Sequence, residues 1–200
     1  TTLGSYMYRD VLGALSMMGL MTVFSMGLSF IFLALVPKVV AKAGLEKTVR
    51  ASQLISVVLY VNLFLLPNNI FVYMAVSAFA SGFGGITVLM QWGMVGEAID
   101  YNEYVTGKRT VGSIYGTFNL MRRIGQAIGS SDADALLGVI GYMPGAETQT
   151  AGVQMGIKAL VVLTPAVFLL LCWVSLKFVW NITPEIRALI AASKEGFKSE

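Results

Sequence analysis

Histidine is absent from these 200 residues, and Cys172 is the single cysteine. A disulfide within the chain, a zinc site of Cys and His ligands, and any acid–base or triad chemistry that needs imidazole are therefore ruled out. Hydrolytic and metal-dependent enzymes fit poorly, and the chain reads as a non-enzyme with no resident cofactor and no metal site of its own. Charge is also scarce. Fourteen Lys and Arg with eleven Asp and Glu make up 12% of the sequence, while 56% is hydrophobic; soluble domains carry about 25% charged residues. So few polar groups cannot coat a water-soluble body of this length, which makes the lipid bilayer the remaining solvent. The net charge of +3 is not gathered into a basic patch with aromatic or motif support, so nucleic acid is excluded as a partner.

What is present is long charge-free sequence. Val11 to Pro37 has no charge over 27 positions and Ala51 to Gly96 none over 46, where one spanning helix needs about 20 apolar residues. The pattern predicts an all-α integral membrane bundle over 1–181, with spans at about 1–16, 17–36, 49–66, 70–96, 112–141 and 152–181, then a tail over 182–200. Pro67-Asn68-Asn69, Pro144-Gly145 and Pro184 supply turn and stop chemistry between them. The first span is short and carries Arg9 and Asp10, as expected of a helix cut near its middle. No signal peptide is visible behind Thr1-Thr2, and the expectation is a piece of a longer protein.

Basic residues then give sidedness. Lys38, Lys42, Lys47 and Arg50 follow span two, Lys108 and Arg109 follow span four, and Arg187, Lys194 and Lys198 lie in the tail. The alternate loops, Pro67 to Asn69 and Met143 to Ala151, hold no Lys or Arg. Basic loops stay cytoplasmic, so the C-terminus is expected in the cytoplasm, with the bundle in the inner (plasma) membrane. Small residues predict close helix contacts in span four, at Ser81-Gly82-Phe83-Gly84-Gly85, and in span five, at Gly112/Gly116 and Gly125/Gly129. Pro165 predicts a kink in span six.

Span five is the informative one. At about 100° per residue, Tyr115, Asn119, Arg123, Gln126 and Ser130 fall on one polar stripe. Arg123 lies 11 residues beyond Gly112, about 16 Å into the span at 1.5 Å per residue. A charge at that depth costs about 2.5 kcal/mol or more and ordinarily faces a cavity or a partner. Arg122 is turned about 100° away, so one of the two arginines serves a structural part. Thr22, Ser25 and Ser29 in span two, and Gln91 with Trp92 in span four, are further candidates for the same cavity. Ser and Thr also bond back to their own helix, whereas an indole face suits the C–H face of a sugar. At the inner membrane boundary, Glu97, Asp100, Glu103, Lys108 and Arg109 crowd together, a pattern that suits a gate of ion pairs.

The run Glu97-Ala98-Ile99-Asp100-Tyr101-Asn102-Glu103-Tyr104 with Thr106-Gly107-Lys108-Arg109, the run Arg122-Arg123-Ile124-Gly125-Gln126-Ala127-Ile128-Gly129, and the aromatic opening Tyr6-Met7-Tyr8-Arg9-Asp10 stand together in this chain. They resemble the glycoside–pentoside–hexuronide:cation symporters of the major facilitator superfamily. The resemblance implies a twelve-helix transporter of two six-helix halves, of which this chain is the C-terminal half with its first helix truncated. It implies substrate contacts at Arg123, Asn119 and Trp92, to which the residue pattern adds Gln126 and Gln91, and a cytoplasmic gate at Glu97, Asp100, Glu103 and Arg109. The coupling cation, sodium or proton, is expected on carboxylates of the N-terminal half. Three positions depart from the family pattern: Asp10 stands where Tyr is common, Arg replaces Lys at 123, and Ser131-Asp132-Ala133-Asp134 places two carboxylates in apolar sequence.

The expected function is sugar or glycoside symport with a cation by alternating access, with a hexuronide or pentoside among the candidate substrates. Two rivals are a drug or lipid transporter of a related facilitator family and a non-transporting membrane interaction protein. The stripe through Asn119 and Gln126 argues against the first, and neither a midplane stripe nor a homologous upstream half is needed by the second.

Overall fold

The computed structural model of the chain describes residues 2–146 and 148–198, with side chains described except at Thr2, 130–135 and 194–198. The side chains of Ser130, Asp132 and Asp134 therefore lie outside the described residues. Helix α1 (Thr2–Tyr6) passes into a π-helical turn (Met7–Val11), followed by α2 (Met17–Ala43), α3 (Leu45–Leu65), α4 (Ile70–Thr106), α5 (Val111–Val139), α6 (Ala151–Phe178) and α7 (Pro184–Lys198). No strand occurs among the described residues. Four helices, α2, α3, α4 and α6, are long and apolar enough to cross a membrane. Helix α5 has the length, 29 residues, but its polar stripe leaves it less apolar than those four.

The helix ends follow from local chemistry. Asn69 Oδ1 accepts from the N–H groups of Phe71 and Val72 at 3.0 and 3.3 Å, so the Pro67-Asn68-Asn69 reversal also starts α4. Helix α4 then runs 37 residues, well past the hydropathy edge at 96. It ends at Gly107, where φ of 69° needs a residue without a Cβ. Helix α2 continues through Pro37 to Ala43 before Gly44, at φ 88°, redirects the chain into α3. The tail is also helical, with Pro184 at its first position, where a missing N–H costs no helical bond.

Helix α3 lies between α4 and α6, and α2 packs on α4. Its inward face, Val49, Ser52, Gln53 and Ser56, recurs at helical spacing and is fully buried. Ser56 Oγ donates to the Ala80 carbonyl at 2.6 Å, and Gln53 Nε2 donates to Thr87 Oγ1 at 3.3 Å. A Cβ at Gly84 would stand 3.2 Å from Ser56 Oγ, and one at Gly82 would stand 2.4 Å from Phe32 Cε2. The small residues of α4 thus let α2 and α3 approach closely. The matching expectation for α5 is corrected: a Cβ at Gly112, Gly116, Gly125 or Gly129 would meet nothing within 4 Å. Helix α5 meets α4 through the long side chains of Tyr115, Phe118 and Arg122 against Trp92.

At the end remote from Arg109, Met7, Tyr8, Leu63, Tyr73, Met74 and Ile157 form a packed cluster. Lys158, only 6% exposed, reaches from α6 and donates to the Leu66 carbonyl at 2.6 Å. This places a cation at the C-terminal end of α3, where carbonyls lack helical partners.

Candidate functional site

Trp92 is the hinge pin between α4 and α5. Tyr115 stacks on its indole at 6.0 Å between centroids and 24° between planes, and Phe118 meets it edge-on at 5.4 Å. The Arg122 guanidinium carbon lies 5.8 Å from the indole centroid, and the Nε of Arg122 is buried without a hydrogen-bond partner. On a helical wheel Arg122 falls about 20° from Tyr115 and Phe118 about 60° from it. Those three residues therefore form one edge of the α5 stripe, and Trp92 takes that edge.

Arg123 sits on the opposite edge. It is exposed and forms no ion pair among the described residues. It lies twelve residues past Val111, about 18 Å along the helix and close to its middle. Gln126 is exposed on the same open face, and Asn119 is half-buried with its Nδ2 donated to the Tyr115 carbonyl at 3.0 Å, which leaves Oδ1 to accept. Trp92 keeps 43% of its surface exposed, and Gln91 beside it is half-buried. Arg123, Asn119 and Gln126 thus share one open face without touching one another, and Trp92 is joined to that face through Arg122 and Tyr115.

The arrangement offers a planar guanidinium fork with no carboxylate partner among the described residues, amide acceptors one turn away, and an indole at the border. Such a set can bind paired oxygens, whether of a carboxylate or of adjacent hydroxyls. Tyr115 and Arg122 already stand against the indole, so a pyranose stacks only on what they leave open. The span-two candidates are spent locally: Thr22 donates to the Met18 carbonyl, Ser29 to the Ser25 carbonyl, and Ser25 to Met21 Sδ. The roles of Phe118 and Arg122 were readable only from the 115, 118, 122 spacing, which sets three long side chains on one edge.

At the Arg109 end the charged residues divide into two groups. Arg109 Nη1 donates to Glu103 Oε2 at 2.8 Å and stands 3.9 Å from Asp100. Glu97 turns instead to α7, accepting from Arg187 Nη2 at 2.8 Å. Asn102 Nδ2 donates to the Lys108 carbonyl at 3.0 Å and Thr110 Oγ1 at 2.9 Å, which fixes the connection to α5. Sequence reasoning counted Arg187 only as a basic tail residue. Its signal was the placement of Ile182 and Ile190 around it, both of which are buried.

Residues 1–183 match the family described as MFS/sugar transport protein. The chain is 34% identical to the uncharacterized symporter YjmB of Bacillus subtilis over 92% of its own length and 40% of that protein's. It is 34% identical to the glucuronide carrier protein homolog of Escherichia coli over 72% of the chain and 32% of that protein. To the uncharacterized symporter YnaJ of Bacillus subtilis it is 27% identical over 75% of the chain and 32% of that protein. It therefore spans well under half the length of these relatives. No solved structure matches. With its apolar helices and a match over nearly all its residues, the chain is an integral membrane protein that belongs to the MFS/sugar transport protein family.

Proposed function

We propose that this chain is the C-terminal six-helix half of a cation-coupled sugar or glycoside transporter that works by alternating access around a midplane site. The observation that carries the reading is Arg123: an exposed guanidinium halfway along α5, on the open polar face beside Asn119 and Gln126. A buried charge in a bilayer is retained where it meets water, a ligand or a partner. The upstream half of the full protein supplies the facing wall and the carboxylates for sodium or proton. The tail and the Arg109 end face the cytoplasm, by the bias of basic residues. The free fork favours an anionic sugar, in keeping with the glucuronide carrier homolog among the relatives.

Uptake of a labelled glucuronide by the full-length protein in proteoliposomes, under an inward sodium or proton gradient, tests this. A charge-assisted hydrogen bond contributes about 1.5–3 kcal/mol, so Arg123→Ala is expected to cut uptake about ten- to a hundredfold, since 1.4 kcal/mol is tenfold. Wild-type uptake in that variant sinks the assignment. Gradient-independent uptake sinks the coupling.

A further inference from the structure

We propose that the end of the bundle remote from Arg109 carries a second pyranose site, separate from the α5 stripe, with Tyr6, Arg9 and Tyr142 as its walls and Asp10 as the carboxylate that pairs with Arg9. The choice of a sugar as ligand rests on the transport reading above; the site itself does not. A cavity of about 350 Å³ lies between the first segment and the α5–α6 connection, lined by Tyr6, Arg9, Leu137, Gly138, Tyr142 and Pro144. That volume falls in the range of small-ligand clefts, about 300–1,000 Å³.

Its polar wall stands on the π-helical turn Met7–Val11, an irregularity concentrated at functional sites. Arg9 Nε and Nη2 donate to the two carboxylate oxygens of Asp10 at 3.0 and 3.1 Å. Nη2 also donates to the Tyr142 hydroxyl, which in turn lies 3.4 Å from Asp10 Oδ2 as a donor. The pair is half open to solvent on the Arg9 side, with side-chain exposures of 50% and 11%. The aromatic wall is the edge-to-face pair Tyr6 and Tyr142, 5.1 Å between centroids. The Arg9 guanidinium covers the Tyr6 ring at 5.1 Å, so Tyr142 is the ring left for a sugar's C–H face.

Charge decides the ligand class. Asp10 neutralises Arg9, so the cavity presents guanidinium donors, the Tyr142 hydroxyl and a ring face with no net attraction for an anion. A neutral polyol matches that set, because every hydroxyl both donates and accepts. Arg123 differs in this respect, having no carboxylate partner among the described residues. The pairing also gives a role to Asp10, which departs from the symporter pattern: it holds Arg9 and Tyr142 in place.

Saturation-transfer NMR on the full-length protein in nanodiscs, with methyl β-glucoside as probe and glucuronate for comparison, tests the site. In an Arg123→Ala background the methyl glucoside signal is expected to keep at least half its wild-type strength. It should fall fivefold or more on adding Tyr142→Ala or Gly138→Phe. Gly138 lines the cavity and a Cβ there meets nothing within 4 Å, so the side chain of the second variant starts into open space at the cavity wall. A signal lost with Arg123→Ala alone, or unmoved by Gly138→Phe, overturns the proposal, as does tenfold stronger binding of glucuronate than of the neutral glycoside in that background. Wild-type protein that binds methyl glucoside at this cavity yet carries no sugar would overturn the transport reading and leave this site standing.

Discussion

The guanidinium of Arg122, and not that of its neighbour Arg123, stands over the indole of Trp92, with 5.8 Å between its carbon and the ring centroid. Two adjacent charges on one helix thereby have different work. Arg122 is half-buried and helps to hold α5 on α4, and Arg123 is exposed on the open face. A cation–π contact contributes about 0.5–2 kcal/mol, more as it is desolvated. Arg122→Gln is therefore expected to lower the melting temperature of the full-length protein in detergent, and Arg123→Gln to leave it within error. Equal shifts in the two variants would remove the distinction between them.

Gly82 faces the Phe32 ring with no room for a methyl group, since a Cβ there would lie 2.4 Å from Cε2. Gly82→Ala must push α2 away from α4 or turn the ring, and overpacking of this kind costs about 1–3 kcal/mol. Phe32→Leu in the same chain is expected to recover most of the loss. Thermal unfolding of the two single variants and the double variant reads the coupling, and additive effects would show that α2 and α4 do not meet at this point.

Much of this arrangement was legible because hydrocarbon solvent imposes simple rules. The all-helical fold, the membrane class and the family were readable from charge-free runs and a few charged motifs. The α5 stripe was readable because Tyr115, Asn119 and Arg123 repeat at helical spacing. Hydropathy could not show that α4 continues to Thr106, because a helix that leaves the bilayer keeps its backbone bonds while its side chains turn polar. Nor could spacing show which helix Glu97 faces, since its partner Arg187 is 90 residues away in the chain. The small residues of α5 suggest packing positions, but small size permits a close approach without supplying the neighbour, and among the described residues none stands within 4 Å of a Cβ there.

Lys158 extends the same reasoning to the other end of the bundle. Its ammonium, 6% exposed, donates to the Leu66 carbonyl at the end of α3. Lys158→Met leaves that carbonyl without its donor, a loss of about 1–3 kcal/mol. Lys158→Glu sets a carboxylate against the negative end of a helix as well, and is expected to cost more than the loss of the donor alone. Chemical unfolding should rank the proteins wild type, Met, Glu in falling stability. Equal losses for Met and Glu would mean that Lys158 matters by volume and not by charge.

The pairing of Glu97 with Arg187 leads to a prediction that sets two candidate partners against each other. Glu97 belongs to the same charged run as Asp100 and Glu103, yet Arg109 takes the latter two and α7 takes Glu97. The Glu97–Arg187 side chains are about a quarter exposed, so solvent screens the pair and a coupling of about 0.5–1 kcal/mol is expected. A double-mutant cycle of Glu97→Gln with Arg187→Gln should return that value, and the cycle of Glu97→Gln with Arg109→Gln a value near zero. Because Arg187 ties α7 to α4 through Glu97, Glu97→Gln should also speed proteolytic cleavage within the tail, and exchanging the two charges between the positions should restore protection. If coupling to Arg109 exceeds coupling to Arg187, the tail helix is a passive appendage and the charges from Glu97 to Arg109 act as a single group.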